Sequence, residues 1–172
     1  MTLVRAATGR DARAISHVHV QSWRTTYAGI VPEAYLAGLN EEEREQLWRE
    51  WLKLDIPVYV AELGGGVVGF VSGGPIREPL QEFDAELYAI YLLQQAQGRG
   101  IGTALLRQLA GSLRARGFKS MAVWVLESNS SSRFYMQSGA IPLLSKDIEI
   151  GGVMLPLLAY GWTDLQVIPS PV

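Results

Sequence analysis

Three glycines at alternate positions, Gly98, Gly100 and Gly102, stand between an apolar segment and a helical pattern, with Gln97, Arg99 and Ile101 beside them. A helix N-terminus presents unpaired N–H groups and about half a positive charge, and anions bind there. Side chains would hold a phosphate away from those groups, whereas glycine lets the backbone approach. Arg99 adds a cation. The stretch therefore reads as a cradle for a phosphate or pyrophosphate. It is not a P-loop, because no Gly-Lys-Ser/Thr follows. The dinucleotide fingerprint also fails: begun at Gly98, its third glycine falls on Thr103, and begun at Gly100, on Leu105. The polar run 94–97 makes the first turn too long, and the early elements leave no room for a doubly wound sheet.

Glu86 is the second residue that invites chemistry. It heads a mostly apolar strand, where an unpaired buried carboxylate is costly. It is read either as a base acting through water or as an exposed strand end. Strict alternation puts Glu86, Tyr88, Ile90 and Leu92 on one face. The absence of cysteine excludes disulfides, thiolate catalysis and cysteine-ligated metal. The two histidines, His17 and His19, are too close in sequence to share a helix face, so no metal site is expected, and both read as partly exposed helix positions and not as catalytic bases.

The elements that must position these residues follow from pattern. A strand over 2–8 precedes a helix carrying Ala12, Ile15, Val18 and Trp23 on one stripe. A short helix over 32–39 comes next. Asn40 and Glu43 then form a capping box for a helix expected to bury Leu47, Trp51 and Leu54. Residues 58–74 read as a hairpin turning at Gly64–Gly66, and 84–93 as a strand. Helix 100–117 buries Ile101, Leu105, Leu109 and Leu113, and Gly117 ends it. A strand over 118–126, a short helix over 129–139 and two strands near 140–150 and 153–164 complete the order. The expected fold is α/β: a mixed, mostly antiparallel central sheet flanked by helices. Residues 1–166 form a single domain, and 167–172 a frayed tail.

At 172 residues, 48% hydrophobic and 19% charged, the chain is globular. A net charge of -2 argues against nucleic acid or an anionic membrane as partner, and leans toward a cationic substrate. No apolar run reaches the roughly 20 residues needed to span a bilayer. A cytoplasmic protein is the expectation.

Two motifs carry a family resemblance. "QGRGIG" (97–102) fits Gln/Arg-x-x-Gly-x-Gly/Ala, the coenzyme A signature of the GNAT superfamily of N-acetyltransferases, with Gln97, Gly100 and Gly102 at its fixed positions. "LESNSSSRFYMQSGA" (126–140) resembles the family segment in which Asn, Phe-Tyr and Gly follow in turn, here Asn129, Phe134, Tyr135 and Gly139. Ser132 and Gln94 depart from the common Ala and Pro. The element order agrees from about residue 2 to 164.

The resemblance implies a GNAT-like acyl-CoA N-acyltransferase fold and transfer of an acetyl group from acetyl-CoA directly to an amine, without metal. It places the coenzyme's arm along Tyr91, Leu92 and Leu93, whose N–H groups would polarise the thioester, and its pyrophosphate on 97–102. Asn129 would bond that arm or cap the short helix. Tyr135 would protonate the departing thiolate: a thiol titrates near about 8.5 and a phenol near about 10, so a neutral phenol is at hand. Trp23 and Tyr27, one turn apart, would line the acceptor pocket. The acceptor is a small-molecule or peptide amine, and a homodimer is in keeping with relatives. The rival readings are a non-catalytic acyl-CoA-binding module and a nucleotide-binding domain.

Overall fold

The computed structural model describes residues 1–172. Seven strands and five α-helices follow one another along the chain: β1 (Thr2–Ala6), α1 (Ala12–Thr26), α2 (Glu33–Ala37), α3 (Glu41–Trp51), β2 (Val58–Leu63), β3 (Gly66–Pro75), β4 (Ala85–Leu92), α4 (Ile101–Ala115), β5 (Met121–Leu126), α5 (Ser131–Gln137), β6 (Ile141–Ile150) and β7 (Val153–Trp162). They form one sheet in the order β1-β2-β3-β4-β5-β7-β6. Every pairing is antiparallel except β4 with β5. A parallel pair needs a crossover, and α4 supplies it. This is the mixed, mostly antiparallel architecture expected from the element order.

Helix α4 covers one face. Its stripe of Ile101, Leu105, Leu106, Leu109 and Leu113 is buried against Leu87, Val123 and Trp162. Each such leucine stabilises the fold by roughly 1.5–3 kcal/mol relative to exposure. On the opposite face, Ile15 and Val18 of α1 and Trp48 of α3 pack on Val58, Val60 and Phe70. Asn40 caps α3 as expected, its Oδ1 accepting from the N–H groups of Glu42 and Glu43 at 2.8 and 3.0 Å.

The burial expected of α3 is out of phase. Trp48 is the buried residue, while Leu47 and Leu54 are 62% and 53% exposed. The indole takes the sheet-facing position, meeting Phe70 edge-on at 5.1 Å, and turns the leucines outward. Near the end of the chain Val167 and residues 169–172 are exposed, but the backbone is pinned as far as Ile168. Leu165 and Ile168 are buried, and the Arg114 guanidinium donates to both of their carbonyls, at 2.7 and 2.9 Å. No helix is long and apolar enough to cross a membrane.

Strand β4 carries the feature that shapes the cleft. Ser72 pairs with Ala89 but Gly73 pairs with Leu87, so Tyr88 is an extra residue, a β-bulge. A bulge reverses alternation. Ala85 and Leu87 pack toward α4 before it, and Ile90 and Leu92 after it. Glu86, Tyr88, Ile90 and Leu92 therefore do not share a face. Pairing with β5 stops at Leu87–Val123, and beyond it the two strands part.

Candidate active site

The parted strands leave a gap whose mouth faces the start of α4. A cleft of about 480 Å³ is lined there by Ser22, Thr25 and Thr26 of α1, Ile90–Leu92 of β4, Gln97, Gly102, and Ser128–Ser131 with Phe134. Gly98 and Gly100 have φ of +72° and +79°, the left-handed region that side-chain-bearing residues avoid. A Cβ at either would meet nothing within 4 Å, so geometry and not crowding requires glycine. Gly102 differs. It lies within α4, where a Cβ would only touch Leu92 and Phe134 at 3.5 and 3.6 Å, and its bareness keeps the cleft floor open. The first N–H of α4 with an acceptor is that of Ala104, bonded to the Gly100 carbonyl at 3.1 Å. From Gly98 to Thr103, including Arg99 and Ile101, no N–H is paired within the chain. Six unpaired donors on bare backbone at a helix start fit a phosphate group.

The Leu93 N–H donates to the Val68 carbonyl at 2.8 Å, which turns it away from the gap. In an antiparallel ladder such bonds fall on alternate residues, so the Tyr91 N–H also faces β3, while those of Ile90 and Leu92 face the gap. The Leu92 carbonyl, on the gap side, accepts from Ser22 Oγ at 3.2 Å and Gln97 Nε2 at 3.3 Å. Of the three residues expected to present donors, only Leu92 does. Ile90 is the one sequence reasoning missed, because the bulge that sets the register leaves no mark in composition.

A second cavity of about 290 Å³ continues between the strands, walled by Trp23, Tyr27, Tyr91, Asn129 and Tyr135 among others. Ile90, Tyr91 and Asn129 line both spaces. Trp23 Nε1 donates to the Tyr91 hydroxyl at 3.0 Å, and the Trp23 and Tyr27 rings lie 4.6 Å apart. Asn129 Nδ2 donates to the Tyr27 hydroxyl at 3.0 Å, while Asn129 Oδ1 accepts from the Ser131 N–H at 2.9 Å. One side chain thus secures the start of α5 and fixes Tyr27. Tyr135 is buried, its ring edge-on to Trp162 at 5.9 Å. Burial pushes its phenol up from the ordinary value, and the nearby Ser131 hydroxyl pulls it partway back.

Glu86 is neither exposed nor free. It is 4% exposed and lines neither cavity. Its two oxygens accept from the Arg77 N–H at 3.1 Å and the Arg77 guanidinium at 2.5 Å. Burial of the carboxylate is satisfied by a partner nine positions earlier in the chain, on the turn between β3 and β4. His17 is exposed and bonded to Glu41 at 3.0 Å. His19 is partly exposed, with aromatic rings on one side, and burial, then the Arg44 charge, lower its pKa to about 4. No group of three or more His, Asp or Glu side chains is close enough to hold a metal ion.

A profile of the Acetyltransferase (GNAT) family matches residues 13–140. The uncharacterized N-acetyltransferase YuaI of Bacillus subtilis (strain 168) is 44% identical over 170 residues, covering 99% of this chain and 98% of YuaI. Among solved structures, the ribosomal-protein-alanine N-acetyltransferase of Brucella melitensis superposes with a TM-score of 0.74 at 28% identity, covering 93% of this chain and 98% of that one. The PaiA N-acetyltransferase of Thermoplasma acidophilum, in complex with coenzyme A, gives 0.68 at 24% identity, with 92% and 98% covered.

Proposed function

This chain belongs to the GNAT family of acetyltransferases, and from that premise we propose how its residues move an acetyl group from acetyl-CoA to an amine. The observation that carries the reading is the parting of β4 from β5 with a glycine-built helix start at its mouth. The Ile90 and Leu92 N–H groups take the part of a missing ladder partner, and pair with the coenzyme's amide-bearing arm. One of them polarises the thioester carbonyl. The N–H groups of 98–103 receive the pyrophosphate, with Gln97 holding the loop to the end of β4. Asn129 acts through Tyr27, keeping the acceptor side of the gap in shape together with Trp23.

The amine nitrogen bonds to the acetyl carbon as the C–S bond breaks. The nitrogen passes one proton to water, the sulfur gains one from Tyr135, and the Tyr135 phenol takes its proton back from solvent. No cysteine is available to carry the acetyl group, so transfer is direct. Acetyl-CoA at 100 times its dissociation constant should add about 2.7 kcal/mol of stability. A clear rise in melting temperature, together with coenzyme A release in the presence of an accepted amine, is the expected result. Binding without release for any amine would favour a non-catalytic module, and no shift at millimolar acetyl-CoA would sink the reading.

Glu86 enters this scheme as the counter-ion of Arg77, not as a base. Glu86→Gln should keep turnover within about three-fold while lowering the melting temperature, because it weakens a buried charge-assisted contact. A positioned base contributes ~10²–10⁴-fold, so a drop of that size at unchanged acetyl-CoA affinity would return the base role to Glu86.

A further inference from the structure

The cavity of about 290 Å³ between β4 and β5 has a side that the scheme above leaves unused. Trp23, Tyr88, Ile90 and Trp124 on its wall are partly exposed, and Ile148 of the edge strand β6 is 37% exposed, so solvent reaches that side. The wall is apolar and aromatic apart from Arg77 and Asn129, and no carboxylate lines it. The two cations stacked on its rings are already paired. Arg77 lies over the Tyr88 ring at 4.4 Å and is held by Glu86 at 2.5 Å. Lys146 lies over the Trp124 ring at 4.3 Å and is held by Glu78 at 3.3 Å. The polar side-chain atoms of the wall are paired as well. Trp23 Nε1 donates to the Tyr91 hydroxyl, Asn129 Nδ2 to the Tyr27 hydroxyl, and the Tyr88 hydroxyl to the Pro75 carbonyl. That leaves the Tyr135 hydroxyl, assigned above to the departing sulfur.

We propose that this cavity seats the body of the acceptor and that the body is one aromatic ring, so that the substrate is a primary monoamine with a ring on a short chain. The proposal rests on the acetyl-transfer reading above. A second ammonium group here would leave water without meeting a carboxylate, which is costly. A ring gains by leaving water, and it meets Tyr88, Trp124 and Ile148. The net charge of -2 leaned toward a cationic substrate, but no acidic side chain faces this space. Size agrees. An apolar cavity of roughly 150 Å³ holds one benzene molecule. About 290 Å³ therefore takes a ring and a short chain together with the acetyl group. Apolar walls also favour a neutral amine over its ammonium, and the neutral form is the one that attacks.

The test follows coenzyme A release with ethylamine, propylamine, butylamine, phenethylamine and putrescine, the diamine that matches butylamine in length. From ethylamine to butylamine, kcat/KM should rise about four-fold per methylene, and phenethylamine should exceed ethylamine by about 10- to 100-fold. Putrescine should fall below butylamine by about 10-fold or more, since its far ammonium is left unpaired. Ile148→Asp sets one carboxylate on the wall, at a position exposed enough to spare the fold. It should move the putrescine-to-butylamine ratio upward by about 10-fold, with acetyl-CoA affinity unchanged. Should that variant fail to fold, Ile148→Ala replaces it and should lower the advantage of phenethylamine over ethylamine by a few-fold, with acetyl-CoA affinity again unchanged. Putrescine used as well as butylamine by the parent, or no gain from chain length or ring, overturns the proposal. If no amine is acetylated, calorimetry with the same amines in the presence of coenzyme A decides. Binding of phenethylamine over ethylamine and putrescine keeps the ring site and counts against acetyl transfer, whereas no binding of phenethylamine removes the ring site.

Discussion

Gly100→Glu is expected to lower acetyl-CoA affinity about 100-fold in a protein that still folds. The position is open: a Cβ there meets nothing within 4 Å, so the new side chain displaces no packed group. The backbone cost comes from φ of +79°, about 1–2 kcal/mol for a residue with a side chain. The larger effect is electrostatic. A carboxylate about 6 Å from a bound phosphate, at an effective dielectric near about 20, repels it by roughly 3 kcal/mol per charge, which is about 100-fold in affinity. Gly100→Ala separates the two contributions, since it carries the strain without the charge. It should lose stability like the glutamate variant and keep most of the affinity. Titration calorimetry of both variants, with circular dichroism to verify the fold, makes the comparison. Equal affinity in Gly100→Glu and parent would remove the phosphate from this loop.

Tyr135→Phe should slow the chemical step by about 100-fold with acetyl-CoA affinity nearly unchanged. General acids contribute ~10²–10⁴-fold, and a thiolate is already a fair leaving group, which sets the lower end. The ring is packed against Trp162 and Tyr160 and stays in place when only the hydroxyl is removed. Burial raises the Tyr135 pKa above its ordinary value of about 10, so the phenol stays protonated from pH 6 to 9. Its proton is then available across that range, and the parent's pH–rate profile should show no limb belonging to it. Single-turnover measurements on parent and variant with one accepted amine are the test. Equal rates across pH 6 to 9 would end the role for Tyr135, and a loss confined to coenzyme affinity would make it a binding residue.

Much of the scaffold was readable in the sequence because it rests on local rules. The stripe of α4, the Asn40 cap and the turn glycines each announce themselves within a few positions. The glycine loop was readable for the same reason, since bare backbone before an amphipathic helix has few other uses. What escaped depended on contacts between distant segments. The extra residue at Tyr88 reverses the faces of β4, and only the pairing with Ser72 and Gly73 reveals it. Glu86 looked like an orphan because Arg77 reaches it from a turn with no pattern of its own. In α3, a leucine stripe and a tryptophan one position away compete for the same face, and the shape of Phe70 across the interface decides for Trp48. The aromatic rings beside His19 also escaped notice, because Trp48, Phe70 and Tyr91 come from α3, β3 and β4 and meet only in the fold.

The brief contact between β4 and β5 also governs how the molecule bears load. Only three residue pairs join them, against six between β5 and β7 and seven between β3 and β4. Mechanically the sheet is two plates, β1 to β4 and β5 with β7 and β6, clasped at one corner and braced by the crossover helix. Such a joint resists shear along the clasp but yields to twisting about it, so the width of the slot beyond the clasp is set by whatever lies in it. A long, flexible molecule seated there would fasten both rims, adding a second tie between the plates to the one that the clasp and α4 already supply.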